Sequence, residues 1–207
     1  MAERNAKGRF LIAAGTVLLL AALSLVLWNC YRERRSENSM NTVLSELKKE
    51  ISEGSPVGSD NLNESGDEET GGLSAGKDYI EIDGKLYIGI ISIPSIEVEL
   101  PVMEEWSYDN LDISPCRYSG SLAAGDLVIA AHNYTNFFSR LDELNSSDEV
   151  IFTTASGVEH KFQVIQTDIV NGTDIDTMLS GSDDWDLTLF TCTWSGWSRV
   201  AVRTAAK

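Results

Sequence analysis

The chain has 207 residues and a formal net charge of −16, because 32 Asp and Glu residues outnumber 16 Lys and Arg residues. That length suits one folded domain with an appendage, and the acidity argues against a duplex-binding protein and therefore against a nucleic-acid partner. The three cysteines, Cys30, Cys116 and Cys192, are too few and too scattered for a disulfide framework or a C-x-x-C zinc site.

Residues 10–28, FLIAAGTVLLLAALSLVLW, contain no charged side chain. A helix of that length spans about 28 Å, which is close to the thickness of the hydrocarbon core of a bilayer. A cleaved signal peptide is the alternative, but the segment ends in WNCYRERR, which offers no small-residue cleavage site. Trp28 and Tyr31 suit an interfacial aromatic belt, so we predict an uncleaved anchor after a stub of residues 1–9. Basic residues flank the anchor on both sides and do not choose its orientation.

Residues 29–78 contain two parts that differ in composition. In the first part, apolar residues recur at helical spacing, at Met40, Val43, Leu44, Leu47 and Ile51. This face predicts a helix that either docks on the folded domain or serves as a stalk. The second part, from Ser52 to Asp78, consists mostly of Gly, Ser, Asp and Glu, and we predict a flexible acidic linker there.

From Tyr79 onward the pattern changes to short alternating strands. In YIEIDGKLYIGIISI, Asp83 and Gly84 supply the positive φ angles of a hairpin turn, and the pair at 156–157 marks a second hairpin. About eight short strands follow one another within residues 79–207. Such a pattern indicates a mainly β domain with short helices, either a closed barrel or a sandwich.

Three polar residues stand at the ends of predicted strands. Cys192 ends LTLFTC, Arg199 begins the following strand SRVAVR, and His132 closes DLVIAAH. A thiolate attacks an acyl carbon, a histidine moves the protons, and a guanidinium stabilises the oxyanion, so these residue types suit acyl transfer. The alternative is a structural cysteine beside an unrelated loop histidine, because free cysteine often packs as a small hydrophobic residue.

These segments resemble three motifs of one enzyme family. TLFTC at 188–192 resembles the T-L-x-T-C signature of the sortases, the membrane-anchored cysteine transpeptidases of Gram-positive bacteria. SRVAVR resembles their catalytic-arginine strand, and GDLVIAAHNY resembles the strand that ends on their catalytic histidine. His132, Cys192 and Arg199 also follow one another along the chain in the same order as in that family. The resemblance covers about residues 79–207 and implies a closed eight-stranded sortase-like β-barrel, preceded by one N-terminal transmembrane helix.

The resemblance implies a role for each matching residue. Cys192 is the expected nucleophile, His132 the general acid and base, and Arg199 the stabiliser of the oxyanion or the substrate backbone. Thr191 matches the signature threonine beside the nucleophile and is expected to contact substrate. Arg203 shares a strand face with Arg199 but lies farther from the turn, so we expect it to pair on the barrel surface.

Four further residues are candidates for a functional or a structural role. Trp194 and Trp197 lie in the six-residue connection TWSGWS, where they either line the substrate groove or pack at the tip of a hairpin. So short a connection leaves the sortase subclass and the substrate motif open. His160 lies in mid-strand and is expected to face solvent, and Cys116 has no evident partner or base and is expected to be structural.

Residues 171–186 precede the nucleophile strand, in the region that forms a wall of the sorting-signal groove in sortases. No EF-hand spacing occurs there, so we expect an acidic solvated loop and no required cofactor. Calcium is the alternative, and its candidate carboxylates are Asp174, Asp176, Asp183, Asp184 and Asp186.

The resemblance to sortases implies that the chain cleaves a C-terminal LPXTG-like sorting signal through a Cys192 thioester and passes the acyl group to an amine. The expected partners are surface or pilin proteins that carry the signal, an amine of a peptidoglycan precursor or of a pilin lysine, and membrane lipid around residues 10–28. The resemblance also places the catalytic domain of residues 79–207 outside the cell membrane. Two alternatives are a membrane-tethered β-barrel binding module with an inert cysteine and a cysteine peptidase that releases its product to water.

Overall fold

The computed structural model describes residues 2–54, 79–179 and 185–207. Most of the predicted acidic linker, residues 55–78, therefore lies outside the described residues, as do residues 180–184. The elements in chain order are α1 (Ala2–Gly54), β1 (Ile80–Ile82), β2 (Lys85–Ile93), a 3-10 helix (Pro94–Ile96), β3 (Val98–Met103), α2 (Tyr108–Leu111), β4 (Cys116–Ser119), β5 (Leu127–Ala130), a 3-10 helix (Leu141–Glu143), β6 (Glu149–Thr154), β7 (Glu159–Asn171), α3 (Ile175–Leu179), β8 (Leu187–Cys192) and β9 (Ser198–Ala206).

The chain divides into two units, residues 1–38 and residues 39–207. In the first unit, α1 carries one apolar stretch, Ile12–Tyr31, with 20 residues, a mean hydropathy of 2.0 and no buried part. Its length and composition make it a candidate membrane span. The stretch overlaps residues 10–28, for which the sequence predicts an anchor.

In the second unit, the last part of α1 packs against the β domain. Met40, Val43 and Leu47 are 4%, 8% and 0% exposed and belong to the apolar clusters of this domain. Their spacing places them on one face of the helix. The sequence left docking and a stalk as alternatives, and the structure shows that this helical segment docks.

Eight strands close into a barrel in the order β2-β3-β4-β5-β8-β9-β7-β6, and β6 pairs back with β2. The β3–β4 and β5–β8 pairs are parallel, and the other neighbours are antiparallel. β1 forms a hairpin with β2, and Asp83 and Gly84 between them have φ angles of 50° and 72°. The predicted closed eight-stranded barrel is confirmed, and the sandwich alternative is wrong.

Successive residues of a barrel strand belong to two different apolar clusters, because side chains alternate between the faces of a strand. On β8, Leu187 and Leu189 belong to the cluster that fills the barrel, whereas Phe190 belongs to a second cluster outside the wall. Ala130 of β5 and Ala201 of β9 are the neighbours of Phe190 in register and share this outer face. Residues two positions away along these strands therefore project on the outer face as well.

Candidate active site

Cys192 is half-buried at the end of β8, the middle strand of three. It lies directly opposite Arg199 of β9 in the antiparallel register. On the other side, Ala130 of β5 lies beside Phe190 in a parallel pair, and Ala131 hydrogen-bonds to Phe190 and Thr191, so the chain reaches His132 next to the end of β8. Neighbouring strands are about 4.8 Å apart. The fold therefore brings the chain segments that carry the three predicted residues together at one end of β5, β8 and β9.

Thr191 joins the histidine segment to the nucleophile strand. Its hydroxyl donates to the carbonyl oxygen of Ala131 at 2.9 Å, and the N–H of Ala131 donates to the carbonyl of Phe190 at 3.1 Å. Thr191 is only 2% exposed, because Cys192 occupies the outer face and its neighbour must project to the opposite side. The expected substrate contact of Thr191 does not fit this position and is corrected here: the side chain acts as a tie between β8 and the segment that carries His132.

Replacing Thr191 with valine is expected to lower the free energy of unfolding by about 1–2 kcal/mol, because the buried Ala131 carbonyl loses its hydroxyl donor. Chemical denaturation of the full chain measures this change. Thr153→Val is the matched control, since Thr153 lies half-buried on β6 and its side chain makes no hydrogen bond among the described residues. We expect the control to stay within about 0.5 kcal/mol of the parent. Equal stabilities of the two variants would show that the hydrogen bond from Thr191 to the Ala131 carbonyl does not stabilise the fold.

The imidazole of His132 contacts Asp112 and Tyr134. Its Nε2 lies 3.3 Å from Oδ1 of Asp112, and the Tyr134 hydroxyl donates to the same oxygen at 3.2 Å. The rings of His132 and Tyr134 are 4.7 Å apart with an interplanar angle of 30°. The main chain is tied as well, because the His132 carbonyl accepts from the N–H of Phe138 at 3.3 Å. The His132 side chain is still 25% exposed, so it is held in place and remains accessible.

Arg199 is half-buried, and its Nη1 donates to the carbonyls of Gly196 and Ser198 at 3.0 and 3.1 Å. No carboxylate of the described residues forms an ion pair with Arg199. Gly172 makes room for the guanidinium, because a Cβ atom there would lie 2.9 Å from Nη1 of Arg199. The main chain therefore holds a cation whose charge no acid of the described residues neutralises, which suits the stabilisation of an oxyanion.

Arg203 is only 2% exposed, and the prediction that it pairs on the barrel surface is wrong. Its Nη1 donates to the Met178 carbonyl at 3.0 Å and to the Thr188 hydroxyl at 2.8 Å, and its Nη2 donates to the Thr177 carbonyl. Its guanidinium also lies 5.0 Å from the ring centre of Trp185, and burial lowers the pKa of Arg203. The physical reason is that α3 covers this part of the strand face, so Arg203 binds the last carbonyls of α3 instead of reaching solvent.

The remaining candidates from the sequence are two tryptophans in the turn between β8 and β9 and one histidine on β7. Trp194 and Trp197 are 98% and 84% exposed, so the alternative of a packed hairpin tip is wrong, and groove lining stays a prediction. His160 is half-buried on β7 opposite Phe152. Because cross-strand partners share a face and Phe152 belongs to the cluster that fills the barrel, the predicted solvent-facing position of His160 is corrected.

Cys116 is fully buried, in agreement with its expected structural role. Its Sγ donates to the carbonyl of Ser114 at 3.3 Å. Burial raises the pKa of the Cys116 thiol to about 12, which keeps it protonated and unreactive near neutral pH. Among the cysteines of the β domain, the contrast with the half-buried Cys192 identifies the latter as the accessible thiol.

Two of the carboxylates that are candidates for calcium binding accept hydrogen bonds from other residues of the chain. Asp174 accepts from the N–H and the hydroxyl of Thr177 at the start of α3, and these bonds lower the pKa of Asp174. Asp186 accepts from the N–H of Ala206 at 2.7 Å. Asp183 and Asp184 lie outside the described residues, and within the described ranges no group of three potential metal-binding side chains occurs. The expectation of an acidic solvated loop with no required cofactor stays a prediction, and calcium stays its alternative.

Sequence reasoning missed three residues of this site. Asp112 follows a four-residue helix in which no spacing or motif marks it. Gly172 reads as an ordinary loop glycine, and only its contact with Arg199 reveals its importance. Tyr134 could have been found, because it lies two residues after His132 within the quoted motif GDLVIAAHNY.

Comparison with known protein families gives a match within the second unit, residues 39–207. The model of a family described as the sortase domain matches residues 91–207. Sortase D of Bacillus subtilis (strain 168) is 30% identical over 107 residues, which cover 50% of this chain and 53% of that protein. The chain thus spans about half the length of the curated relative it matches.

Solved sortase structures share the fold. Sortase A from Corynebacterium diphtheriae is similar with a TM-score of 0.54 and 25% identity, over 59% of this chain and 61% of that chain. Sortase C1 from Streptococcus agalactiae is similar with a TM-score of 0.54 and 28% identity, over 61% of this chain and 70% of that chain. The barrel, the order of the three site residues and the match over residues 91–207 agree, and the chain belongs to the sortase family.

Proposed function

We propose that this protein is a cysteine transpeptidase that cleaves a C-terminal LPXTG-like sorting signal and transfers the new acyl end to an amine. The observation that supports the proposal is that Cys192 lies opposite Arg199 in the β8–β9 register, while the segment that carries His132 leaves β5 next to β8. Membership of the sortase family supports the same reaction class. An inert cysteine would not need a nearby accessible histidine or a cation that, among the described residues, has no acidic partner.

In the proposed first step, the Cys192 sulfur attacks the carbonyl carbon of the threonine in the signal. A C–S bond forms, the peptide C–N bond breaks, and His132 gives a proton to the departing amine. Arg199 stabilises the negative charge on the carbonyl oxygen while the carbon is tetrahedral. In the second step an acceptor amine attacks the thioester and gives a proton to His132, and the Cys192 sulfur leaves.

We further propose that the apolar stretch Ile12–Tyr31 anchors the protein in the cell membrane and that the barrel works outside it. The signal would then be carried by surface or pilin proteins. The acceptor would be an amine of a peptidoglycan precursor or a lysine of a pilin. The pilin alternative has support in one structural relative, the sortase C of Streptococcus pneumoniae, which is described by its pilin substrate specificity.

The experiment incubates the full chain, held in detergent micelles, with a panel of sorting-signal peptides that vary at each position of the LPXTG motif. Intact-protein mass spectrometry after an acid quench is expected to show an adduct with the mass of the acyl fragment for at least one peptide. Adding a glycine-based or a lysine-based amine is expected to accelerate turnover and to identify the acceptor class. A rate that no amine changes would indicate a peptidase that releases its product to water.

Two variants make the assignment specific. Cys192→Ala is expected to form no adduct with any peptide. Cys116→Ser is expected to form the same adduct as the parent, because Cys116 is buried and protonated. Absence of an adduct for the parent across the panel, or an adduct that persists in Cys192→Ala, would contradict the proposal.

A further inference from the structure

We propose that Asp112 is a positioning residue that orients the His132 ring and favours its protonated form, an inference that rests on the transpeptidase function proposed above. Oδ1 of Asp112 lies 3.3 Å from Nε2 of His132. A carboxylate at this distance favours the charged form of an imidazole and limits rotation of the ring. Nothing in the sequence motifs of the site includes Asp112.

The segment that carries Asp112 is held by buried contacts on both sides. Before it, Leu111 and Asn110 are each 8% exposed, and the Asn110 side chain donates to the Glu105 carbonyl at 2.9 Å and accepts from Lys85 at 2.7 Å. After it, Ser114 is 1% exposed and its hydroxyl donates to the carbonyl of Pro101. Asp112 itself ends α2 with helical φ and ψ angles of −66° and −18°. The carboxylate is therefore presented to His132 from a fixed backbone.

Tyr134 binds the same carboxylate oxygen as His132. Its hydroxyl donates to Oδ1 of Asp112 at 3.2 Å while its ring lies against the imidazole of His132. Tyr134 also packs 5.5 Å from the ring of Phe137, which is 1% exposed and belongs to the core of the barrel. The three side chains form one cluster in which Asp112 contributes the negative charge.

The charge of Asp112 matters because of what else faces His132. Asp112 and Tyr134 contact the imidazole, Cys192 ends the neighbouring strand β8, and Arg199 lies beyond Cys192 on β9. Arg199 disfavours a second positive charge, and Tyr134 is neutral near neutral pH. Asp112 is therefore a carboxylate that offsets Arg199 and, together with Cys192 when its thiol is ionised, favours a proton on His132 for the departing amine. With Nε2 engaged by Asp112, proton exchange with Cys192 and the substrate would use Nδ1.

The first test is a histidine NMR titration of the full chain in lipid nanodiscs. The chain has two histidines, so ¹³Cε1 labelling gives two signals, and His160→Gln assigns them. All samples carry Cys192→Ala, so that ionisation of the thiol does not move the midpoint. Asp112→Asn, which keeps the shape of the side chain, is expected to lower the His132 midpoint by roughly one pH unit. Asp109→Asn removes the same charge from an exposed site on α2 and is expected to leave the midpoint unchanged.

The second test measures turnover of a sorting-signal peptide with Cys192 present. Asp112→Asn is expected to lower kcat about tenfold, since general acid–base catalysis is impaired, and to leave KM within about twofold. Asp109→Asn is expected to match the parent. An unchanged His132 midpoint, or an unchanged kcat, in Asp112→Asn would overturn the inference. If the parent forms no adduct with any peptide, the proposed function fails, and the NMR midpoint still decides whether Asp112 acts on His132.

Discussion

Replacing Arg199 with alanine is expected to lower kcat/KM for cleavage of the sorting signal about 100- to 1000-fold, the usual cost of removing one oxyanion donor. Arg199 lies opposite Cys192, and within the described part of the chain no acid neutralises it. The loss should appear mainly in kcat, because charge on the carbonyl oxygen develops only in the transition state. Initial rates of peptide cleavage, followed by chromatography, measure both constants.

The stability of Arg199→Ala separates catalysis from folding. Nη1 of Arg199 bonds only to carbonyls of the turn, where water can replace it, so the melting temperature is expected to fall by no more than about 4 °C. Arg199→Lys keeps the charge but loses the planar fork, and it should recover only part of the activity. Activity of Arg199→Ala within about threefold of the parent would show that another group stabilises the oxyanion.

Replacing Arg203 with methionine is expected to reduce the free energy of unfolding by about 3 kcal/mol, because three hydrogen bonds at about 1 kcal/mol each are lost. The acceptors left behind are the carbonyls of Thr177 and Met178 and the hydroxyl of Thr188. Methionine fills most of the volume, so the loss reports the polar contacts rather than a cavity. The melting temperature should fall by roughly 6–12 °C in a domain of this size.

Lys207→Met is the matched control for Arg203→Met. Lys207 is a basic residue near the same end of the chain and pairs with Glu149 at 3.0 Å, with both side chains partly exposed. Exposed pairs contribute less than about 1 kcal/mol, so this variant should melt within about 4 °C of the parent. Thermal unfolding followed by circular dichroism compares the two. If both variants melt together, Arg203 does not fasten α3 to the barrel.

Much of the fold could be predicted because strands and tight turns have recognisable sequence patterns. Alternation of apolar residues identified the strands, and Asp83 and Gly84 identified a hairpin by the φ angles they tolerate. Cys192 and Arg199 could be paired without coordinates, because only a short turn separates two strands that must then be antiparallel neighbours. The strand-end position of His132 could be seen in the sequence, but its pairing with Cys192 required the family resemblance, since β5 and β8 are parallel and far apart along the chain.

The expectations that were wrong concern which part of the protein covers each face of a strand. Thr191 and Cys192 are adjacent in sequence, but one faces the core and the other the outer wall, and the motif alone does not say which. Arg199 and Arg203 share a strand face and would look alike to any periodicity argument. Their different environments arise because α3 covers only Arg203, and the position of α3 depends on contacts between distant segments.

The sequence by itself determined the run of short strands along the chain, the candidate membrane anchor, the family resemblance and the three candidate site residues. These features are local, since they depend on side-chain alternation, turn residues, apolar length and short motifs. Only the tertiary structure decided that Arg203 is buried, that Thr191 is a tie and that Asp112 reaches His132. The reason is physical: each of these contacts joins residues 20 or more positions apart, and closure of the barrel is what brings such residues together.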